Sequence, residues 1–290
     1  MKRFTLSIAM ALIVVSPMAR AKTVDAVASF SVLADIVRQV GGEHVKVTEL
    51  VGPDGDPHAF EPTPKDSQAL AKADVVFVSG LGLECWIDRL VTASGYRGKV
   101  ITASDGVSPR KMEEDGKTIT DPHAWNSARN GALYARNVMN ALIATDQQDA
   151  DYFRQRGEAY IQQLEKLDAW AKAEFAAKPQ GKRKVLTSHD AFGYFGAEYG
   201  VQFLSPVGFS TESEASASNV AGLIDQIKRE HIATYFIENQ TDPRLVKQIA
   251  SGAQPGGELY PEALSATDGP AATYEAAFRH NVTTLAGSMK

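Results

Sequence analysis

The feature that most limits how this chain can fold is a run without proline from about Ser127 to Lys178, in which glycine occurs only at Gly131 and Gly157. Leu133, Val138, Leu142, Tyr152, Tyr160, Leu164, Leu167 and Phe175 recur through it at roughly helical spacing. The run predicts a long helical segment, either one helix near 50 residues or two in succession with a break at Asp149-Ala150-Asp151, closed by Pro179-Gln180-Gly181. At about 1.5 Å per residue, one such helix could run the height of the molecule.

Short strands and helices alternate on both sides of this segment. Before it, strands are expected at Thr23–Ser29, Val45–Val51, Asp74–Ser79 and Lys99–Ala103, with helices at Ser31–Val40, Lys65–Ala73 and Trp86–Ala93. Asp74–Ser79 is a continuous apolar run, the signature of a strand buried on both faces. After it, strands are expected at Lys184–Ser188, Val201–Pro206, Thr234–Glu238 and Glu258–Tyr260, with a helix from Ala272 to Ser288. Strand–helix alternation implies parallel sheets with right-handed crossovers. The expected fold class is therefore α/β, two βα lobes with parallel sheets joined by a long rigid helix, and a metal site between the lobes. The boundaries are residues 22–126 for the first lobe, 127–178 for the connecting helix and 179–290 for the second lobe.

Residues 1–21 read as a signal peptide. Lys2 and Arg3 precede an apolar run from Phe4 to Val15, and Ala19-Arg20-Ala21 is a cleavage motif, so the exported chain is expected to begin at Lys22. Removing this segment takes the formal net charge from −5 to −8, a poor balance for a nucleic-acid partner. The only cysteine, Cys85, lies far beyond the cleavage point, so neither a lipid anchor at the new N-terminus nor an internal disulfide is expected. Within Gly82-Leu83-Glu84-Cys85-Trp86 it reads as a small buried hydrophobe. Export without an anchor points to the periplasm of a Gram-negative cell, or to secretion.

Three of the six histidines sit in near-duplicate, aromatic-flanked loops: Asp56-Pro57-His58-Ala59-Phe60, Asp121-Pro122-His123-Ala124-Trp125 and Ser188-His189-Asp190-Ala191-Phe192. Ligands of parallel α/β sheets bind beyond the carboxyl ends of the strands, where His58 and His189 fall. Imidazole is the commonest zinc ligand, and three of them leave room for a carboxylate or a water. Glu262, just past the last strand, is the favoured carboxylate. Asp268, Glu212 and Glu214 are alternatives, each readable as an ordinary turn or solvated loop residue. Phe60, Trp125 and Phe192 are expected to exclude water from the site. His44 and His231 precede strands and should face solvent, and His280 should be a structural hydrogen bonder within the last helix.

The segments DPHAFEPTP (56–64), DPHAW (121–125), SHDAFGYF (188–195), STESEASA (211–218) and LYPEALS (259–265) together resemble the cluster A-I (cluster 9) zinc/manganese solute-binding proteins of bacterial ABC transporters. The likeness spans essentially the whole exported chain. It implies two lobes bridged by a rigid helix, with one metal ion between them. Family ligand positions match His58, His123, His189 and Glu262, although the family's fourth ligand is usually an aspartate. Manganese members typically pair two histidines with two carboxylates, whereas three histidines and one carboxylate resemble the zinc members. Ser108–Thr120 holds no histidine-rich tract, and in this the chain is most similar to the AztC-type zinc proteins. The resemblance implies a monomeric receptor binding one Zn²⁺ as transported ligand, a membrane permease as partner, and room for a periplasmic zinc chaperone. A zinc hydrolase, with Glu61 or Glu262 as base, is the competing class, but no HExxH-type motif supports it.

Overall fold

The computed structural model describes residues 23–114, 117–212, 217–250 and 252–290. The expected signal peptide with its cleavage site, and the candidate Glu214, lie outside the described residues. The first lobe is a parallel sheet of β1 (Val24–Phe30), β2 (Val45–Val51), β3 (Val75–Val78) and β4 (Lys99–Thr102) in the order β2-β1-β3-β4. Helices α1 (Ser31–Gly41), α2 (Pro64–Lys72) and α3 (Ile87–Ser94) connect these strands. Every residue of β3 is buried, as its unbroken apolar run predicts for a central strand. By contrast, the edge strand β4 carries half-exposed and exposed residues throughout. Helix α2 starts sharply because Pro64 occupies its first turn and the Asp66 carboxylate accepts the backbone N–H of Thr63 at 2.7 Å.

Ser108–Thr120, read from sequence only as a short charged stretch, contains the antiparallel hairpin of β5 (Lys111–Glu114) and β6 (Lys117–Thr120). The long proline-free run then folds as two helices, α4 (Ala128–Thr145) and α5 (Ala150–Ala176), so a single rod near 50 residues does not form. The break falls where the acidic cluster marked it. The two helices pack side by side as a hairpin, and α5 alone runs for roughly 40 Å at 1.5 Å per residue. The two glycines of the run are sites of close approach. A Cβ on Gly157 would lie 2.5 Å from Met139 Sδ on α4, and one on Gly131 would lie 2.3 Å from the Tyr274 hydroxyl.

The second lobe repeats the first. Strands β7 (Lys184–Leu186), β8 (Gln202–Leu204), β9 (Thr234–Glu238) and β10 (Gln254–Leu259) form a parallel sheet in the order β10-β9-β7-β8, the first lobe's order read from the other end. Its helices are α6 (Gly193–Tyr199), α7 (Ala217–Arg229) and α8 (Arg244–Ile249). Strand β10 begins earlier than its apolar residues suggest. Pro255, Gly256 and Gly257 are tolerated there because it is an edge strand with a bulge between Pro255 and Gly257. The last helix, α9 (Tyr274–Ser288), returns to pack on α5 and α1.

One continuous core therefore joins β1, α1, the α4–α5 hairpin and α9 with the inner face of the second lobe, through Phe30, Tyr134, Phe153, Leu167, Phe195 and Phe278 among others. A smaller core of Leu186, Leu204, Leu223, Ile227, Ile232, Val246, Ile249 and Ala250 serves the second lobe's outer layer. The end of the first lobe opposite the strand carboxyl ends is tied to α5. His44 Nδ1 lies 2.7 Å from Asp149 Oδ2, and its ring stacks on Tyr152 at 3.8 Å between centroids. His44 is therefore a tether rather than the solvent-facing residue its position before β2 suggested.

Candidate metal centre

Both sheets point the carboxyl ends of their strands at a common cleft. His58 stands seven residues beyond β2, in a turn where Asp56 Oδ1 accepts the His58 backbone N–H at 2.8 Å. His123 follows β6, and Asp121 Oδ1 accepts both its backbone N–H at 3.0 Å and its ring Nδ1–H at 2.9 Å. The chain then makes a tight turn over Ala124–Asn126 and enters α4, whose first turn is capped by Ser127. His189 stands three residues past β7, and Glu262 three residues past β10. Residues from four loops spread over the whole sequence thus reach one point, because two sheets of the same topology face each other end to end.

The structure brings His58, His123, His189 and Glu262 together, with one potential ligand atom from each lying within 4.8 Å of the others. Glu262 Oε1 lies 2.7 Å from His58 Nε2, 2.7 Å from His123 Nε2 and 3.1 Å from His189 Nε2. The four residues are buried, His58 being the most accessible at 5%. A carboxylate oxygen surrounded by three ring nitrogens is a donor set of three nitrogens and one oxygen that could hold a metal ion.

Each imidazole but one is oriented from behind by a second carboxylate. Asp121 holds His123, and Glu238, the last residue of β9, accepts from His189 Nδ1 as well as from the backbone N–H groups of Ser188 at 3.0 Å and His189 at 3.2 Å. Such contacts fix the tautomer, leave Nε2 as the free donor and make the ring a better base. Glu262 is fixed in turn by Gln240, whose side-chain N–H donates to Oε2 at 3.1 Å. The Glu262 loop is also pinned to the first lobe and the α4 entrance. Trp125 Nε1 and Asn126 Nδ2 donate to the Pro261 carbonyl at 2.7 and 3.1 Å.

The electrostatics of this cluster oppose burial. Burial by itself drives His123 towards the neutral form, but the Asp121 and Glu262 carboxylates outweigh it and carry the imidazole up to about 9. Burial also lowers His189, and Glu238 and Glu262 together raise it well above the ordinary histidine value. Burial pushes the Glu262 carboxyl up, yet the charges of His58 and His189 and the hydrogen bonds from His123 and His189 hold it well below the usual carboxylate range. The ionised Glu262 carboxylate thus favours the protonated forms of His123 and His189 in this fold. A divalent cation would replace those protons.

The remaining candidates fall elsewhere. Asp268, Glu212 and Glu61 are exposed and stand outside the cluster. Cys85 is exposed while its neighbours Leu83, Glu84 and Trp86 are buried, so it is not the buried hydrophobe that its setting suggested. His231 is exposed, and His280 donates to the Glu258 carbonyl at 2.9 Å as a structural group. Among the flanking aromatics, Trp125 packs against His123 at 5.6 Å between centroids. Phe192 instead stacks on Phe203 in the core, and Phe60 packs on Trp86. The ring set edge-on to His58, at 5.9 Å, is Phe209. Sequence reading missed Glu238, Gln240 and Phe209, and gave Asp121 no role. Glu238 had a signal: a carboxylate ends an apolar strand that points at the cleft.

With the geometry in place, three comparisons bear on the chain. Residues 26–288 match the family described as ZnuA, zinc-uptake complex component A, periplasmic. The chain is 34% identical over 273 residues to the manganese-binding lipoprotein MntA of Bacillus subtilis, covering 91% of this chain and 89% of that one. The periplasmic zinc-binding protein TroA of Treponema pallidum superposes with a TM-score of 0.86 at 29% identity, covering 92% of this chain and 99% of that one. A manganese-bound periplasmic metal-binding protein from Candidatus Liberibacter asiaticus superposes with a TM-score of 0.83 at 28% identity and the same coverage.

Proposed function

The chain belongs to the ZnuA family of zinc-uptake components, and on that premise we propose that it is the periplasmic receptor of an ABC-type importer, taking one Zn²⁺ between its lobes and passing it to a membrane permease. His58, His123, His189 and Glu262 are the proposed ligands. The observation that carries this reading is their convergence in one buried cluster with three ring nitrogens facing one carboxylate oxygen. Nitrogen-rich, four-coordinate sites suit Zn²⁺, whereas Mn²⁺ is better served by oxygen ligands and higher coordination. The family is described as an uptake component and its relatives as metal-binding proteins, not enzymes. The hydrolase reading also loses its candidate base, since Glu61 is exposed and Glu262 is enclosed by the three imidazoles.

Manganese is the second reading, because the Bacillus subtilis relative is named for manganese and the Liberibacter structure holds it. Titration of the purified chain with zinc, manganese and both in competition separates the two. The expected result is one zinc per chain, held in preference to manganese. Tighter binding of manganese under competition would replace zinc with manganese in the proposal. Export is tested by recovering the chain from the periplasmic fraction with Lys22 as its first residue, and the site, being built within one chain, is expected to fill in a monomer. The α4–α5 hairpin shares its core with both lobes, so capture is expected to order loops around the ion rather than swing the lobes closed.

A further inference from the structure

The two oxygens of Glu262 do different work. Oε1 faces the three imidazoles, whereas Oε2 accepts a hydrogen bond from Gln240 Nε2 at 3.1 Å. An ionised carboxylate can only accept, so the amide must present its N–H₂ to Glu262. Gln240 Oε1 is consequently buried without a protein partner, because turning the amide over would set that oxygen against the carboxylate. The residue is held in this pose by its neighbours. Glu238 secures His189 on one side. Asn239 accepts no such role but fastens the turn, its backbone N–H donating to the Leu259 carbonyl at 3.2 Å and its side chain donating to Asp54 Oδ1 of the first lobe at 2.8 Å. The Thr241 backbone N–H then returns to the Glu238 carbonyl at 3.3 Å. On its other side Gln240 faces a cavity of about 560 Å³, which it lines with Asp56, His189 and Thr211, so the amide stands between that cavity and the buried carboxylate.

We infer that Gln240 is a positioning residue that sets the metal preference of the site by keeping Glu262 a one-oxygen ligand. This rests on the reading of Glu262 and the three histidines as ligands. With Oε2 held by the amide, the cage offers three nitrogens and one oxygen, a closed tetrahedral set for zinc. Released from the amide, the carboxylate can rotate about its last side-chain bond and bring Oε2 beside Oε1 towards the imidazoles. The site would then become five-coordinate and richer in oxygen, which relatively favours manganese.

Gln240→Leu keeps the bulk of the side chain and removes the donor, and Gln240→Ala removes both in case the first variant fails to fold. Zinc and manganese affinities are measured in competition, and the visible spectrum of the cobalt(II)-loaded protein reports coordination number. The expected outcome is one zinc per chain in wild type and variants, a zinc-over-manganese preference reduced about tenfold in the variants, and cobalt bands that weaken from the intense tetrahedral pattern. Unchanged preference with unchanged cobalt spectrum would overturn the inference while leaving the site reading intact, as would a parallel loss of both metals with a tetrahedral spectrum. Full zinc affinity in His58→Ala, run alongside, would instead bring down the ligand reading and this inference with it.

Discussion

The two lobes share one strand order but not one kind of support. The first lobe's strands, the α4–α5 hairpin and α9 are fused in the continuous core, and the lobe's far end is tethered by His44 to Asp149. The second lobe's inner face belongs to that core, but α7, α8 and their side of its sheet rest on a separate cluster of eight buried residues. Both lobes supply two of the proposed ligands. The difference teaches that the His58–His123 side of the site is part of the scaffold. The His189–Glu262 side is arranged by the turn that follows β9, next to the more weakly supported layer. Local opening is governed by how much apolar contact a segment carries, so the turn between β9 and α8 is the expected place for the cluster to open.

The strongest way to break this contrast is to cut the two cores. Phe153→Ala is expected to cost about 3–5 kcal/mol of global stability, as truncation of a fully buried aromatic does. Leu223→Ala, at 9% exposure in the small core, is expected to cost less and to loosen chiefly α7 and α8. Chemical denaturation measures the first and hydrogen exchange the second, and equal, molecule-wide effects of the two would end the distinction. Next come the ligands themselves. His123→Ala and His189→Ala, one from each lobe, are each expected to weaken zinc binding by about a hundredfold or more by calorimetry or chelator competition, because a closed four-ligand site loses a quarter of its donors. If either variant keeps wild-type affinity, that residue is not a ligand.

A smaller effect probes the carboxylates behind the rings. Asp121→Asn and Glu238→Gln are each expected to lower zinc affinity by about ten- to a hundredfold. Glu238→Gln should also speed zinc release more than Asp121→Asn does, since Glu238 organises the less supported side, and identical dissociation rates in stopped flow would count against that asymmetry. The mildest test is pH. His123 is carried up to about 9 in the metal-free fold from an ordinary value of 6.5. Its contribution to metal-free stability is therefore full below about 6.5 and is lost as pH rises through about 9. Zinc binding, which must displace that proton, should strengthen over the same interval. Melting temperatures of the metal-free protein and zinc affinities at pH 6.5 and 8.5 are expected to move in opposite directions, and a parallel change would refute the assigned proton.

The lobes, the helical run between them and the identity of the clustered histidines were legible because each is written in local pattern. Val75–Val78 announces a buried strand, Gly131 and Gly157 are the only gaps in the helical run, and the Asp-Pro-His loops are short-range turns in which the aspartate accepts the following backbone N–H. Local pattern misled where a residue's partner is remote. A place before β2 predicts solvent for His44, whose partner Asp149 lies 105 residues away, and a place beside a histidine loop predicts the site for Phe192, which stacks on Phe203 instead.

By itself, then, the sequence determined that there are two βα lobes around a helical segment and that three similar histidine loops exist to be gathered, since periodicity and turn chemistry act over a few residues. Only the tertiary structure decided that the helical segment doubles back as a hairpin, that Glu262 rather than Asp268 joins His58 across 204 residues, and that Glu238 and Gln240 stand behind the cage. Those contacts depend on two sheets meeting at their carboxyl ends, and no stretch of neighbouring residues records where a distant strand will stop.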